Sequence, residues 1–341
     1  MTSEPNTQSP VIAHLEPQLC PQFMPYHDFE HAPSFEVLGH ENQTQPVIFN
    51  SPHSGCHYPD RFIALSRLNR TSIRASEDMA VDRLFSHVPS LGAVLQKANF
   101  PRAYLDVNRE PYELDAGMFS TPLPPYANTR SIRVNGGLGT IAKIVAENHN
   151  IYASKLDTDD ALARIELIYR PYHDTLRHLL ASTHTRFNKA FLIDCHSMPS
   201  QTRPSQTGTS QIGSGQAGSA KRSFYQKRRP DFILGDRYGT SCRNDVVDHA
   251  VKLLRGAGFV VTKNRPYAGG FITEHYGRPQ RQLHALQIEI NRSLYMDEDT
   301  LELHDGFPKL QAALAIFTEN LLAHPAFAQE ASVPAQNLAA E

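Results

Sequence analysis

The chain has 341 residues, 40% of them hydrophobic, and a formal net charge of -2 at neutral pH. That is long for one domain but within reach of a single large α/β domain with insertions, and the apolar fraction suffices for a substantial core. The near-balanced charge excludes a general attraction to nucleic acid or to an anionic membrane, leaving a small molecule as the expected partner.

No stretch approaches the roughly 20 consecutive apolar residues of a membrane helix. The opening MTSEPNTQSP lacks the basic and apolar regions of a signal peptide, so a soluble cytoplasmic protein is expected. Cys20, Cys56, Cys195 and Cys242 show no CxxC spacing, which argues against a disulfide framework and against a thiolate zinc site.

Residues 1–42, rich in Pro, Gln, His and Glu without a sustained period, predict a loosely structured arm. The domain proper, taken as 43–325, begins at QPVIFNSPHSG, where Val47, Ile48 and Phe49 form a short apolar run stopped by Pro52 and Gly55. The same look recurs in GAVLQKA, AYLDVNR, AFLIDCHS, DFILGD, FVVTKN and ALQIEIN, so seven strands are predicted. In SIRASEDMAVDRLFSHV, Ile73, Met79 or Ala80, Leu84 and Val88 fall roughly on one helical face. DTDDALARIELIYRPYHDTLRHLLASTH opens on acids suited to a helix start and keeps three- and four-residue spacing through Leu179, with Pro171 predicting a break near Tyr169. SQTRPSQTGTSQIGSGQAGSAKRS, too polar to fix itself, predicts a flexible insertion at about 200–224. RNDVVDHAVKLLRGAG and LQAALAIFTENLLAH predict two later helices, and 326–341 a frayed tail. Strands alternating with helices give an α/β fold, with a mixed, mostly parallel sheet and helices on both faces.

In such a sheet, ligands collect at the carboxyl ends of the strands. Polar residues stand at that place in four predicted strands: His53 after VIFNSP, Asp106, Asn108 and Arg109 in YLDVNR, His196 in FLIDCHS, and Glu289, Asn291 and Arg292 in LQIEINR. With 17 histidines, any one taken singly is ordinarily a hydrogen-bonded core or surface residue. Two at strand ends can share a metal, and a carboxylate would complete the three-ligand set of a hydrolytic zinc site. Glu77, Asp78 and Asp82 in SEDMAVDRLF are the candidates for that carboxylate.

Glu289 lies between Ile288 and Ile290 in an otherwise apolar strand, where burial requires a cation or a polar partner, and this suits a general base and acid. Arg102 and Arg109 can hold the carboxylates of an acidic substrate. In YAGGFITEHYGRP, Gly269 and Gly270 let the backbone approach a ligand, while Thr273 and His275 can donate hydrogen bonds. Covalent catalysis is disfavoured: Cys195 ends an apolar run with nothing to ionise it, and Ser54 and Ser197 lack a nucleophile-elbow context.

From about residue 46 to about 298 the chain resembles the N-formylglutamate amidohydrolase family, through SPHSG, SEDMAVDRLF, RAYLDVNR, IDCHS, PDFILGDRYGTSC, GGFITEHYG and QLHALQIEINRSLYM in that order. The resemblance implies a zinc-dependent amide hydrolase with a phosphorylase/hydrolase-like, zinc carboxypeptidase-like fold and one zinc per chain. It implies His53, Asp78 and His196 as metal ligands, Asp78 being favoured over Asp82 with Glu77 left as an alternative, and Glu289 as catalytic base. It also implies Asn108 and Arg109 as contacts to a substrate carboxylate. The expected reaction is cleavage of an N-acyl amino acid, N-formyl-L-glutamate foremost, as in histidine breakdown. A zinc deacylase for another N-acyl amino acid or a peptidoglycan-like amide is the alternative, and a non-catalytic binding protein is disfavoured because every position needed for hydrolysis is filled.

Overall fold

The computed structural model describes Phe29 and residues 33–146, 149–200 and 230–328. The insertion expected at 200–224 lies outside the described residues from 201 onward, as does the expected tail beyond 328 and most of the expected arm. Seven strands form one sheet: β1 (Phe35–Leu38), β2 (Val47–Ser51), β3 (Val94–Ala98), β4 (Ala190–Met198), β5 (Phe232–Gly235), β6 (Val261–Lys263) and β7 (Leu283–Asn291). Their order is β1-β3-β2-β4-β7-β5-β6. β3, β2, β4 and β7 run parallel, β1 and β5 are antiparallel to their inner neighbours, and β6 is parallel to β5.

Six of the seven predicted strands are present. The seventh is a correction: residues 103–109 form turns, not a strand. Pro101 accepts from the backbone N–H of both Tyr104 and Leu105, and Asp106 N–H donates to Thr140. Ala103, Tyr104, Leu105 and Val107 are nonetheless all buried, so the apolar run that mimics a strand is a packing signal of an irregular segment. The remaining strand, β1, comes from 35–38, within the stretch expected as an arm.

The helices are α1 (Asp60–Leu65), α2 (Val81–Leu84), α3 (Ile132–Asn135), α4 (Thr158–Arg164), α5 (Arg170–Phe187), α6 (Asn244–Gly256), α7 (Phe271–Tyr276) and α8 (Gly306–Leu322). The helix expected over 72–88 is interrupted. A 3-10 turn over Ser72–Ser76 stops before Glu77, and Ala80 adopts a left-handed conformation ahead of α2. The break expected near Tyr169 takes the form of a wide π turn over Ile165–Tyr169, directly before Pro171, whose missing N–H a regular helix would not tolerate there.

Alternation along the strands sorts the side chains between two cores. Phe191, Ile193 and Cys195 of β4, with Leu286, Ile288 and Ile290 of β7, face the largest apolar cluster, built by α2, α6 and α8. Ala190, Leu192 and Ala285 face the opposite side, where Leu176, Leu179 and Leu180 of α5 and Ile272 and Tyr276 of α7 cover the sheet. Asp194, His196, Gln287 and Glu289 continue this second face toward the carboxyl ends of β4 and β7. A third cluster packs the long irregular segment from Phe100 to Leu156 against α1 and α4. Among the described residues, no helix is long and apolar enough to cross a membrane.

Two buried imidazoles tie this packing to pH. Burial pushes His173 and His284 down to about 4. His173 is held by the Tyr276 hydroxyl and the Val107 carbonyl, whereas neither ring nitrogen of His284 has a hydrogen-bond partner, its ring stacking on Phe191. Both are neutral when folded and titrate near 6.5 when unfolded, so their stabilising contribution is complete above pH 6.5 and is lost as pH falls toward 4. The thermal midpoint should decline over that window, and His284→Leu should make the decline shallower; an unchanged decline would mean that other groups dominate acid sensitivity.

Candidate active site

Three side chains from separate segments meet at the carboxyl end of the sheet. His53 follows β2, His196 lies near the end of β4, and Asp78 sits in the break before α2. A backbone bond ties two of these segments together, Asp78 N–H donating to the His53 carbonyl at 3.0 Å. Asp78 Oδ2 is 3.0 Å from His196 Nδ1 and 3.4 Å from His53 Nδ1, and the imidazole centroids are 4.9 Å apart. All three residues are buried, with one potential ligand atom from each lying within 4.8 Å of the others.

The outer nitrogen of each imidazole is held by its own carboxylate. His53 Nε2 meets Asp106 Oδ1 at 2.7 Å, and His196 Nε2 meets Asp194 Oδ2 at 2.9 Å. Because a carboxylate can only accept, Nε2 carries the proton in the neutral ring and Nδ1 presents its lone pair inward. Among the described residues, His53 Nδ1 has no hydrogen-bond partner. An orphaned buried nitrogen, a second lone pair and a carboxylate oxygen converging on one point, each imidazole backed by an acid, is the donor chemistry of a metal site. The group could hold a metal ion.

Asp78 is singled out from its neighbours by what each acid touches. Glu77 is taken by Arg74, at 2.9 Å, and by the Tyr58 hydroxyl. Asp82 points toward Lys97. Asp78 Oδ1 instead accepts from Arg292 at 3.1 Å, and Arg292 also donates to Ser197 Oγ and to the Ala75 carbonyl. Burial would raise the Asp78 carboxyl, but the His196 and His53 imidazoles beside it and the charge of Arg102 hold it well below the usual carboxylate range. Asp106 is likewise held low against its burial, by Arg109, His53 and Arg102.

Glu289 behaves differently. It is the in-register partner of His196 across the β4–β7 pair. Burial is the largest influence on it and Asp78 adds to the effect, outweighing His196, Arg102 and Arg292, so its carboxyl is raised to about 7. A carboxyl poised near neutrality is suited to taking up and giving back a proton.

The remaining predicted residues divide. Arg102 binds Asp106 Oδ2 at 2.9 Å, and its side chain is 23% exposed. Arg109 turns its guanidinium onto protein acceptors, the carbonyls of Leu138 and Asn108 and, at 3.4 Å, Asp106. Asn108 brings its amide nitrogen to 3.3 Å from His196 and accepts the backbone N–H of Ile272. Thr273, expected at a pocket wall, is fully buried, its hydroxyl directed at Gln287. His275 is exposed on α7 and lines, with Phe271, Arg133 and Arg278, a cleft of about 380 Å³.

Two participants were not singled out from sequence. Asp194 reads as part of an apolar run, although its two-residue spacing from His196 places both on one strand face. Asn50, its in-register neighbour, donates to Asp194 Oδ1 at 2.8 Å and accepts from the Tyr172 hydroxyl.

Fold and donor set together define an α/β protein with the side-chain equipment of a metallohydrolase. The family model for N-formylglutamate amidohydrolase matches residues 45–296, and the chain belongs to that family, whose members hydrolyse an amide bond. It is 24% identical over 266 residues to N-formylglutamate deformylase of Pseudomonas aeruginosa, covering 77% of this chain and 86% of the relative. It is 25% identical, with the same coverage, to the enzyme of that name from Pseudomonas putida. The crystal structure of N-formylglutamate amidohydrolase from Ralstonia eutropha JMP134 superposes with a TM-score of 0.73 at 32% identity, covering 84% of this chain and 96% of that one. A gene product from Agrobacterium tumefaciens shares the fold, with a TM-score of 0.57 at 18% identity, over 85% of this chain and 92% of that one.

The Asp194 contact is open to direct test. If the group holds a metal ion, Asp194→Asn should weaken affinity for an added divalent cation roughly 10- to 100-fold in competition with a chromophoric chelator. Asp82→Ala should leave it unchanged; equal affinities for wild type and Asp194→Asn would remove Asp194 from the metal site.

Proposed function

We propose that this chain is a zinc-dependent deformylase acting on an N-acyl amino acid, with N-formyl-L-glutamate as substrate, formate and L-glutamate as products, and the cytoplasm as its location. The observation that carries this reading is the pairing, on adjacent strands, of a His53–Asp78–His196 donor set with a buried glutamate raised to about 7. Two imidazoles and one carboxylate favour zinc and leave room for water and substrate. What the ion supplies when bound is Lewis acidity, a polarised formyl carbonyl and a more acidic water.

The protein supplies the rest. Glu289 accepts the proton of the attacking water and returns it to the leaving amine nitrogen, a shuttle suited to a group near neutrality. Asp106 and Asp194 keep both imidazoles in the tautomer that binds, and Arg292 occupies the Asp78 oxygen that faces away from them. Arg102 is the cation for the substrate carboxylate nearest the reacting centre. Arg109, spent on Leu138, Asn108 and Asp106, acts with Asn108 to hold that wall in shape. His275 belongs to the exposed cleft, where a distal carboxylate would be met together with Arg133 or Arg278. The names of the Pseudomonas and Ralstonia relatives point the same way.

Purified protein should carry about one zinc per chain and release formate from N-formyl-L-glutamate, with activity lost to a chelator and restored by zinc. Glu289→Gln should lower kcat by about 10²- to 10⁴-fold while zinc content is retained. Zinc without formate release would redirect the substrate search to other N-acyl amino acids, and near-normal turnover of Glu289→Gln would remove the base assignment.

A further inference from the structure

Glu289 does not stand alone on its strand face. Gln287, two residues earlier and 4% exposed, donates from Nε2 to Glu289 Oε1 at 2.7 Å. The other end of that amide is clamped: its Oε1 accepts the backbone N–H of Gly270 at 2.7 Å and faces the Thr273 hydroxyl at 3.4 Å. A backbone N–H can only donate, so the amide oxygen is fixed toward Gly270 and the NH₂ group must face Glu289. Among the described residues, Glu289 Oε2 has no hydrogen-bond partner.

The clamp is itself held by close backbone approach. A Cβ at Gly270 would come within 2.4 Å of the Asn108 amide, and Gly269 has a φ of +115°, which disfavours any side chain. Asn108 in turn accepts the N–H of Ile272, one residue into α7. Gly270 and Thr273 thus meet one amide, and Asn108 packs against Gly270 from the other side.

We propose that Gln287 is the positioning residue of the catalytic glutamate: it pins Oε1, sets the carboxylate plane and leaves Oε2 as the oxygen that handles the proton. The inference rests on Glu289 being the base. It gives Thr273 and the Gly269–Gly270 pair a role behind the active site, as the lock on the Gln287 amide.

The test is a double-mutant cycle of Gln287→Met with Glu289→Gln on N-formyl-L-glutamate, with kcat and KM separated, zinc content and thermal midpoint measured, and Thr273→Val run in parallel. Gln287→Met keeps side-chain length but loses the donor, and should lower kcat about tenfold or more with KM and zinc content unchanged. In the Glu289→Gln background the same change should cost less than about twofold. Thr273→Val, which preserves shape, should lower kcat about two- to fivefold with KM unchanged, and it carries the test if Gln287→Met does not fold. Unchanged kcat, an equal loss in both backgrounds, or a rise in KM alone would overturn the proposal. If Glu289→Gln by itself keeps near-normal kcat, the base reading has failed, and the positioning role falls with it.

Discussion

Parallel pairing of β4 with β7 sets His196 beside Glu289 and Asp194 beside Gln287, on the sheet face covered by α5 and α7. The alternate residues, Ile193, Cys195, Leu286, Ile288 and Ile290, are locked into the larger core on the opposite face. A one-residue slip would drive charged groups into that core and bring apolar side chains to the site, at a cost far above the stability of most single contacts. Hydrophobic patterning therefore specifies the register, and the register brings His196 and Glu289 side by side.

Once assembled, the buried charges are sorted by their partners. Asp78 and Asp106 each gather histidine and arginine and stay ionised despite burial. Glu289 receives a neutral amide as its hydrogen-bond donor and lies near another carboxylate, so the same burial lifts it toward neutrality. Acids of similar intrinsic strength thus divide into buried anions and one carboxyl poised near neutrality by environment alone.

Much of this was legible in the residues. Runs such as VIFN, AFLID and ALQIEIN announce buried strands, and a histidine or glutamate at the end of such a run has few structural reasons to be there. Which acid joins the two histidines was not legible from spacing, because Glu77, Asp78 and Asp82 share a short segment whose helical period breaks at Ala80. Tertiary partners, Arg74 for Glu77 and Lys97 for Asp82, leave Asp78 to the histidines. The AYLDVNR segment misleads for a related reason: its apolar residues are buried by an irregular loop, and the backbone turns at Pro101 and Thr140 bring both Arg102 and Arg109 onto Asp106. Short β1, half-buried at the sheet edge, carries too little pattern to be read from four residues. Asp194 was hidden inside the very run that reveals the strand.

The order of parts along the chain has a consequence for biosynthesis. His53, Asp78 and His196 all precede residue 199, with His53 and His196 linked through the β2–β4 pair, whereas Glu289 comes from β7, about 90 residues later, and Arg292 from the turn just after it. A growing chain therefore synthesises the proposed metal donors well before the proposed proton carrier, and the strand that carries Glu289 must insert between β4 and β5 to reach them. On the proposed roles, the capacity to bind an ion and the capacity to cut are laid down at different moments of translation, and the second waits on a long-range strand pairing.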